Sequence, residues 1–203
     1  MPLPKHHITL QSEAVCCSTV RTSSGLSLIE LMIALGVAAL LASLASPGFA
    51  RFIAGQRATA TMNDFAAAIA IARSTAIIRR SHVVLCPGTE RCGRRNSWQD
   101  GALVFADDNR NGRRDADERL ITRVPGFEHG SVRWRSFRNR TAIRFTPRGL
   151  TDWQNGHFVY CPANGDARAA RMLIVNVAGR VRVARDKDHN GIREGADGRD
   201  LTC

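Results

Sequence analysis

Between Leu26 and Ser46 the chain carries a single charge, Glu30, in an otherwise apolar run. As a helix this run would rise about 31 Å, close to the ~30 Å hydrocarbon core of a bilayer. A carboxylate in such a segment costs up to ~3 kcal/mol at the helix centre and less near the end. Glu30 is therefore expected to have a partner. A secretory signal would have an apolar core of about 7–15 residues followed by a small-residue cleavage site. Here the small-residue junction, Ser23-Ser24-Gly25, precedes the run. Cleavage after Gly25 would leave the apolar helix on the mature chain. Three segments follow: a leader over 1–25, an apolar membrane-length helix over 26–53, and a head over 54–203.

Past Pro47 a helical pattern resumes. Met62, Phe65, Ile69, Ala72 and Ala76 are spaced by three and four, so they share one face, expected to lie on a sheet. Arg79 and Arg80 close the pattern, where the helix dipole favours cations. Gly36, Gly48 and Gly55 mark places where the helix could bend. Strands are expected at His82–Cys86, Ala102–Ala106, Val132–Trp134, Ala142–Thr146, Gly156–Cys161, Arg171–Val175 and Arg180–Ala184. Turn-rich stretches separate them, as in antiparallel pairing. The expected class is α+β, one long helix packed on an antiparallel β-sheet head.

Cys16 and Cys17 lie in the leader; Cys86, Cys92, Cys161 and Cys203 remain in the head. An even count in an exported domain suggests two disulfides, with three connectivities open. Cys86 with Cys92 and Cys161 with Cys203 is the favoured pairing; the longer loop would contribute roughly 3–4 kcal/mol on the chain-entropy argument. Zinc is the rival reading, but no C-x2-C pair is present.

Two segments have the spacing of calcium loops. Asp107, Asn109, Asn111, Asp115 and Glu118 fall at positions one, three, five, nine and twelve, with Gly112 at six. Asp186, Asp188, Asn190, Glu194 and Asp197 repeat the pattern around Gly191. The alternative is an Asx/Gly-rich turn in which these side chains bond their own backbone. No cofactor is required, and Ca2+ is the one candidate ion.

The chain has 29 basic against 18 acidic residues, a net charge of +11. Only Lys5 and Lys187 are lysines, so the excess is arginine. Either a polyanion-binding surface or an arginine-rich composition accounts for it. Arg133, Arg135, Arg138, Arg140 and Arg144 cluster around Trp134 and Phe137; Arg168 and Arg171 precede a strand, and Arg180, Arg182 and Arg185 follow Gly179. In an extended strand Arg180 and Arg182 point to one side, about 7 Å apart, a spacing suited to neighbouring phosphates. A solvated edge strand is the plainer alternative. Catalysis is not expected: His82, His129, His157 and His189 sit in strands or turns, and neither G-x-S-x-G nor H-E-x-x-H occurs.

Gly25, the apolar residues after it and Glu30 resemble the prepilin peptidase site of type IV pilins and type II secretion pseudopilins. Pro47 falls where many of those proteins kink their first helix. Phe65–Arg80, His82–Cys86, Trp98-Gln99-Asp100-Gly101 and Gly179-Arg180-Val181-Arg182 resemble the GspH/FimT branch. Leu26 stands where a Phe is more usual, and the leader is long, which points to an initiator downstream of Met1. The resemblance implies cleavage between Gly25 and Leu26, N-methylation of Leu26, and pairing of Glu30 with a neighbouring subunit's terminal amine. It implies single-pass insertion in the inner membrane with the head in the periplasm, then entry into a pilus or pseudopilus. The implied partners are the prepilin peptidase, other major and minor pilins, and DNA held by Arg171, Arg180, Arg182 and Arg185. Two functions follow: a FimT-like minor pilin binding DNA non-specifically for transformation or aiding pilus biogenesis, or a GspH-like minor pseudopilin at a secretion pseudopilus tip.

Overall fold

The computed structural model describes residues 27–94, 97–137 and 141–203, without the side chains at 46 and 47. Gly25 and Leu26 lie outside the described residues, as do the side chain of Pro47 and residues Arg138 and Arg140. The chain divides into two compact units, Met1–Leu44 and Ala45–Cys203.

Helix α1 (Leu28–Arg79) is continuous through Gly36, Gly48 and Gly55. Its segment Leu28–Ala45 is long and apolar enough to cross a membrane, and none of that segment is buried. Glu30 lies in the first turn, where the helix dipole favours a carboxylate. At the other end Arg80 adopts φ 53 and its amide bonds Ile77 O at 3.3 Å, closing the helix with a left-handed residue.

Among the described residues the head holds eight strands. β1 (Val83–Pro87), β2 (Ala102–Ala106), β3 (Leu120–Val124) and β5 (Ile143–Phe145) form one antiparallel sheet in the order β3-β2-β1-β5. β4 (Gly130–Ser136), β6 (Gly156–Pro162), β7 (Arg171–Val175) and β8 (Val181–Val183) form the second, in the order β4-β6-β7-β8. The α+β architecture expected from the periodicity is the one observed. Strand β3 was not expected. It is an edge strand interrupted by Arg123, and only Val124 is fully buried, so its apolar alternation is weak. The last strand is shorter than expected and begins after Arg180.

One core joins the helix to both sheets. Met62, Phe65, Ile69, Ala72 and Ala76 are 0–3% exposed, so the predicted helical face is the buried one. Opposite them lie Val83, Leu85, Val104 and Phe145 from the first sheet and Val132, Trp134, Phe158 and Leu173 from the second. Phe158 is the hub: its ring centroid is 5.2 Å from Phe65, 4.8 Å from Trp98 and 4.4 Å from Trp134. Truncating it to Ala should cost about 3–5 kcal/mol. The outer face of the first sheet is also buried, through Val84, Cys86, Leu103 and Phe105. This explains why β1 and β2 show no polar alternation. The outer face of the second sheet packs Val159, Met172 and Ala184 with Leu201 from the C-terminal segment. Disulfides join Cys86 to Cys92 and Cys161 to Cys203, with Cα separations of 5.4 and 5.5 Å.

Candidate nucleic-acid interface

The β7–β8 hairpin turns through Asn176–Gly179. Gly179 N–H donates to Asn176 O at 2.9 Å, and Arg180 N–H to the Asn176 side-chain oxygen at 2.9 Å. Gly179 has φ +69, and a Cβ built there would meet Gly149 O at 2.7 Å and Arg73 Cδ at 2.9 Å. Glycine is required on both counts. The facing loop is clamped from below: Arg73 of α1 donates to Gly149 O at 3.2 Å. It is clamped from the side too, because the amide of buried Thr151 donates to Val177 O at 2.9 Å. The hairpin is thus seated on the helix through one loop.

This seating presents Arg182 on the edge strand of the second sheet and Arg180 and Arg185 just before and after it, all exposed. Among the described residues no carboxylate lies within ion-pairing distance of any of the three. Arg171 differs from the sequence expectation. Its guanidinium donates to Ala170 O at 2.9 Å and Arg168 O at 3.2 Å, and it reaches Thr59 and Gly55 of α1 at 3.4 and 3.5 Å. Burial, then the nearby Arg193 charge, lowers its pKa to about 10. Arg171 fastens β7 to the helix and has little left to offer a phosphate.

The arginine group expected around Trp134 is divided by the fold. Trp134 is buried at 2% exposure, which removes it as a surface aromatic. Arg133 and Arg135 are exposed on β4 of the second sheet, opposite Val159 and His157. Arg144 belongs to β5 of the first sheet and pairs with Asp107 at 3.3 Å and Asp152 at 3.7 Å. His157 is partly buried, and burial, then Arg135, depresses its pKa; His82 is depressed by burial, then by Arg110 and Arg144.

The first acidic loop satisfies itself. Both Asp107 oxygens accept the Gly112 amide at 3.2 Å, and Glu118 accepts the Asp108 and Asp115 amides at 3.1 and 3.0 Å. Asp115 Oδ2 accepts both the Asn109 and Asn111 carboxamides at 2.7 Å. Those two bonds lower the Asp115 pKa. With Arg144 on Asp107, the loop is held as an Asx turn. The second loop differs. Asp186 accepts Gly191 N–H at 2.9 Å through one oxygen, while its other oxygen is buried without a hydrogen-bond partner among the described residues. Asp186, Asp188 and Glu194 place ligand oxygens within 4.8 Å of one another. Asn190 bonds Asp188 and Asp200, each at 3.0 Å. Asp197 does not join this cluster and accepts Arg199 N–H at 3.3 Å; the loop is closed by Glu194 instead.

One feature escaped sequence reasoning. A cleft of about 1240 Å³ opens over the outer face of the first sheet, lined by Arg91, Arg113, Arg114, Arg123 and Arg144 against Glu90 and Asp115. Its arginines come from four separate segments, so no local charge run announces it.

Two crystal forms of the type IV minor pilin FimU from Pseudomonas aeruginosa are similar in structure. One has a TM-score of 0.49 at 17% identity, covering 64% of this chain and 90% of that chain. The other has 0.46 at 18% identity, covering 63% and 92%. No curated protein matches the chain. Residues 61–179, from within α1 through β7 to Gly179, match the family described as Type II transport protein GspH. The chain belongs to the GspH family.

Proposed function

We propose that this chain is a non-catalytic minor pilin that enters a filament through its apolar helix and binds DNA through the β7–β8 hairpin. After cleavage between Gly25 and Leu26 and methylation of Leu26, Glu30 pairs with the terminal amine of a neighbouring subunit. That pairing offsets the desolvation of a lone carboxylate. Before assembly the helix anchors the chain in the inner membrane. Co-expression with prepilin peptidase should yield a chain beginning at methylated Leu26 by mass spectrometry; retention of residues 1–25 would remove the assembly reading.

The observation that carries DNA binding is the hairpin itself: three exposed arginines without carboxylate partners among the described residues, on a turn locked to the helix. Such contacts read phosphates and not sequence. Three duplex phosphate contacts give a slope of about −2.7 in log K against log salt, or ~40-fold between 50 and 200 mM. Replacing Arg180 and Arg182 by Ala together should reduce the slope to about −0.9. Fluorescence anisotropy with a labelled duplex reads both. An unchanged slope, or no binding at low salt, returns the chain to the reading of a pseudopilus-tip subunit whose head contacts other pilins.

A second reading concerns the Asp186–Glu194 loop. Its unpartnered Asp186 oxygen, beside Asp188 and Glu194, favours a calcium ion there over the first loop, where Arg144 already neutralises Asp107.

A further inference from the structure

Two of the three tryptophans, Trp98 and Trp134, are 0% and 2% exposed and belong to the core. Trp153 is 65% exposed. Its backbone is also uncommon: Asp152 has φ 47 and Trp153 φ 60, consecutive left-handed residues without a glycine. Bulky side chains rarely enter that region. The conformation is imposed from both sides. Thr151 N–H is bound to Val177 O of the hairpin turn at 2.9 Å, and Gln154 N–H returns to Thr151 O at 2.8 Å. On the other side the Gln154 side chain accepts the Arg144 amide, and Asp152 pairs with the Arg144 guanidinium at 3.7 Å. A constrained backbone that holds an indole out in solvent points to a contact made outside the chain.

The neighbours of this loop indicate what it contacts. One end is bonded to the turn that presents Arg180 and Arg182; the other is bonded to Arg144, which lines the basic cleft. Arg148 is exposed on the same loop. Inside the cleft, the Arg114 Nε is buried without a hydrogen-bond partner among the described residues. Two basic surfaces carried by different sheets therefore meet at one exposed aromatic.

We propose that the hairpin, the Trp153 loop and the cleft form one track for single-stranded nucleic acid, with Trp153 stacking on a base between phosphates held by Arg180 and Arg182 and phosphates held by Arg113 and Arg123. This rests on the DNA-binding reading above and specifies the form of DNA. Phosphates are accessible in duplex and single strand alike. Base faces are open only where the strand is unpaired, and every base offers one, so an aromatic platform adds affinity without sequence preference. The duplex engages the hairpin arginines alone.

The test uses the full-length chain in detergent micelles and oligothymidine. Trp153 is the exposed fluorophore, so the single strand quenches tryptophan emission, whereas heparin, an anionic polymer without bases, displaces the strand and restores the emission. Trp153→Ala weakens oligothymidine binding about tenfold and leaves duplex affinity within twofold, which also reports an intact fold. Trp153→Phe recovers most of the lost affinity. Arg113→Ala with Arg123→Ala lowers the single-strand salt slope by about 1.4 and leaves the duplex slope unchanged. Oligothymidine affinity within twofold of wild type in Trp153→Ala, or quenching by heparin equal to that by the oligonucleotide, overturns the track. If duplex binding still depends on Arg180 and Arg182 in that case, the hairpin reading survives. Absence of binding to either nucleic acid removes both.

Discussion

Gly179→Ala separates two demands that usually coincide. The residue has φ +69, and an added Cβ would lie 2.7 Å from Gly149 O and 2.9 Å from Arg73 Cδ. Gly165 provides the control, with φ +72 and nothing within 4 Å of its Cβ position. Alanine in the left-handed region costs about 1–2 kcal/mol. Crowding a packed contact adds about 1–3 kcal/mol. Gly165→Ala should therefore lose ~1–2 kcal/mol and Gly179→Ala ~2–5 kcal/mol. The backbone oxygen at Gly149 cannot swing aside as the end of a flexible side chain would. For a head of this size the extra ~1–3 kcal/mol corresponds to ~2–12 °C in melting temperature. Thermal melts followed by the emission of buried Trp98 and Trp134 measure the difference directly. Duplex affinity should fall with Gly179→Ala and not with Gly165→Ala, because only the first displaces Arg180 and Arg182. Equal losses in the two variants would refute the idea that close approach, as distinct from backbone angle, requires glycine at the hairpin.

Calcium should raise the melting temperature, with the shift abolished by Asp186→Asn and kept by Asp107→Asn; an identical shift in Asp186→Asn removes the second loop as its site. His157 and His82 have folded pKa values below the ordinary 6.5, so the unfolded chain binds more protons just under that pH. Stability should decline as pH falls below about 6.5, and replacing both histidines by Asn should flatten this decline in urea titrations; an unaltered decline assigns the effect to other groups. Asp115 acts in a lower window: its pKa is depressed below 3.8, so its contribution persists above that pH and is lost only as pH falls through the folded value.

The helix was legible because its buried face repeats at the helical period over Met62, Phe65, Ile69, Ala72 and Ala76, and each of those residues packs on a sheet. Strands flanked by turns, such as Ala102–Ala106 and Arg171–Val175, were equally plain. Strand β3 was not, since an edge needs few apolar positions and Leu120–Val124 includes Thr122 and Arg123. The site was less legible than the fold. Arg180 and Arg182 read as neighbours because they are neighbours in the chain. Arg171 reads the same way, yet three-dimensional context gives its guanidinium to main-chain oxygens of α1 and the approach to β7. The basic cleft and the exposure of Trp153 depend on which segments meet, a matter of long-range packing that no local pattern encodes. The two acidic loops share a spacing, and the sequence could not separate them. Arg144, twenty-six positions beyond Glu118, distinguishes them by occupying Asp107.

The junction of Gly179, Gly149 and Arg73 also has a mechanical side. Strand β8 is short and meets only β7, so tension applied at its free margin alone would peel it open one hydrogen bond at a time. Because the hairpin tip is packed against the Gly149 carbonyl, which Arg73 grips from the helix, tension at Arg180 passes into α1 through that contact and is not left to the three-pair β7–β8 ladder alone.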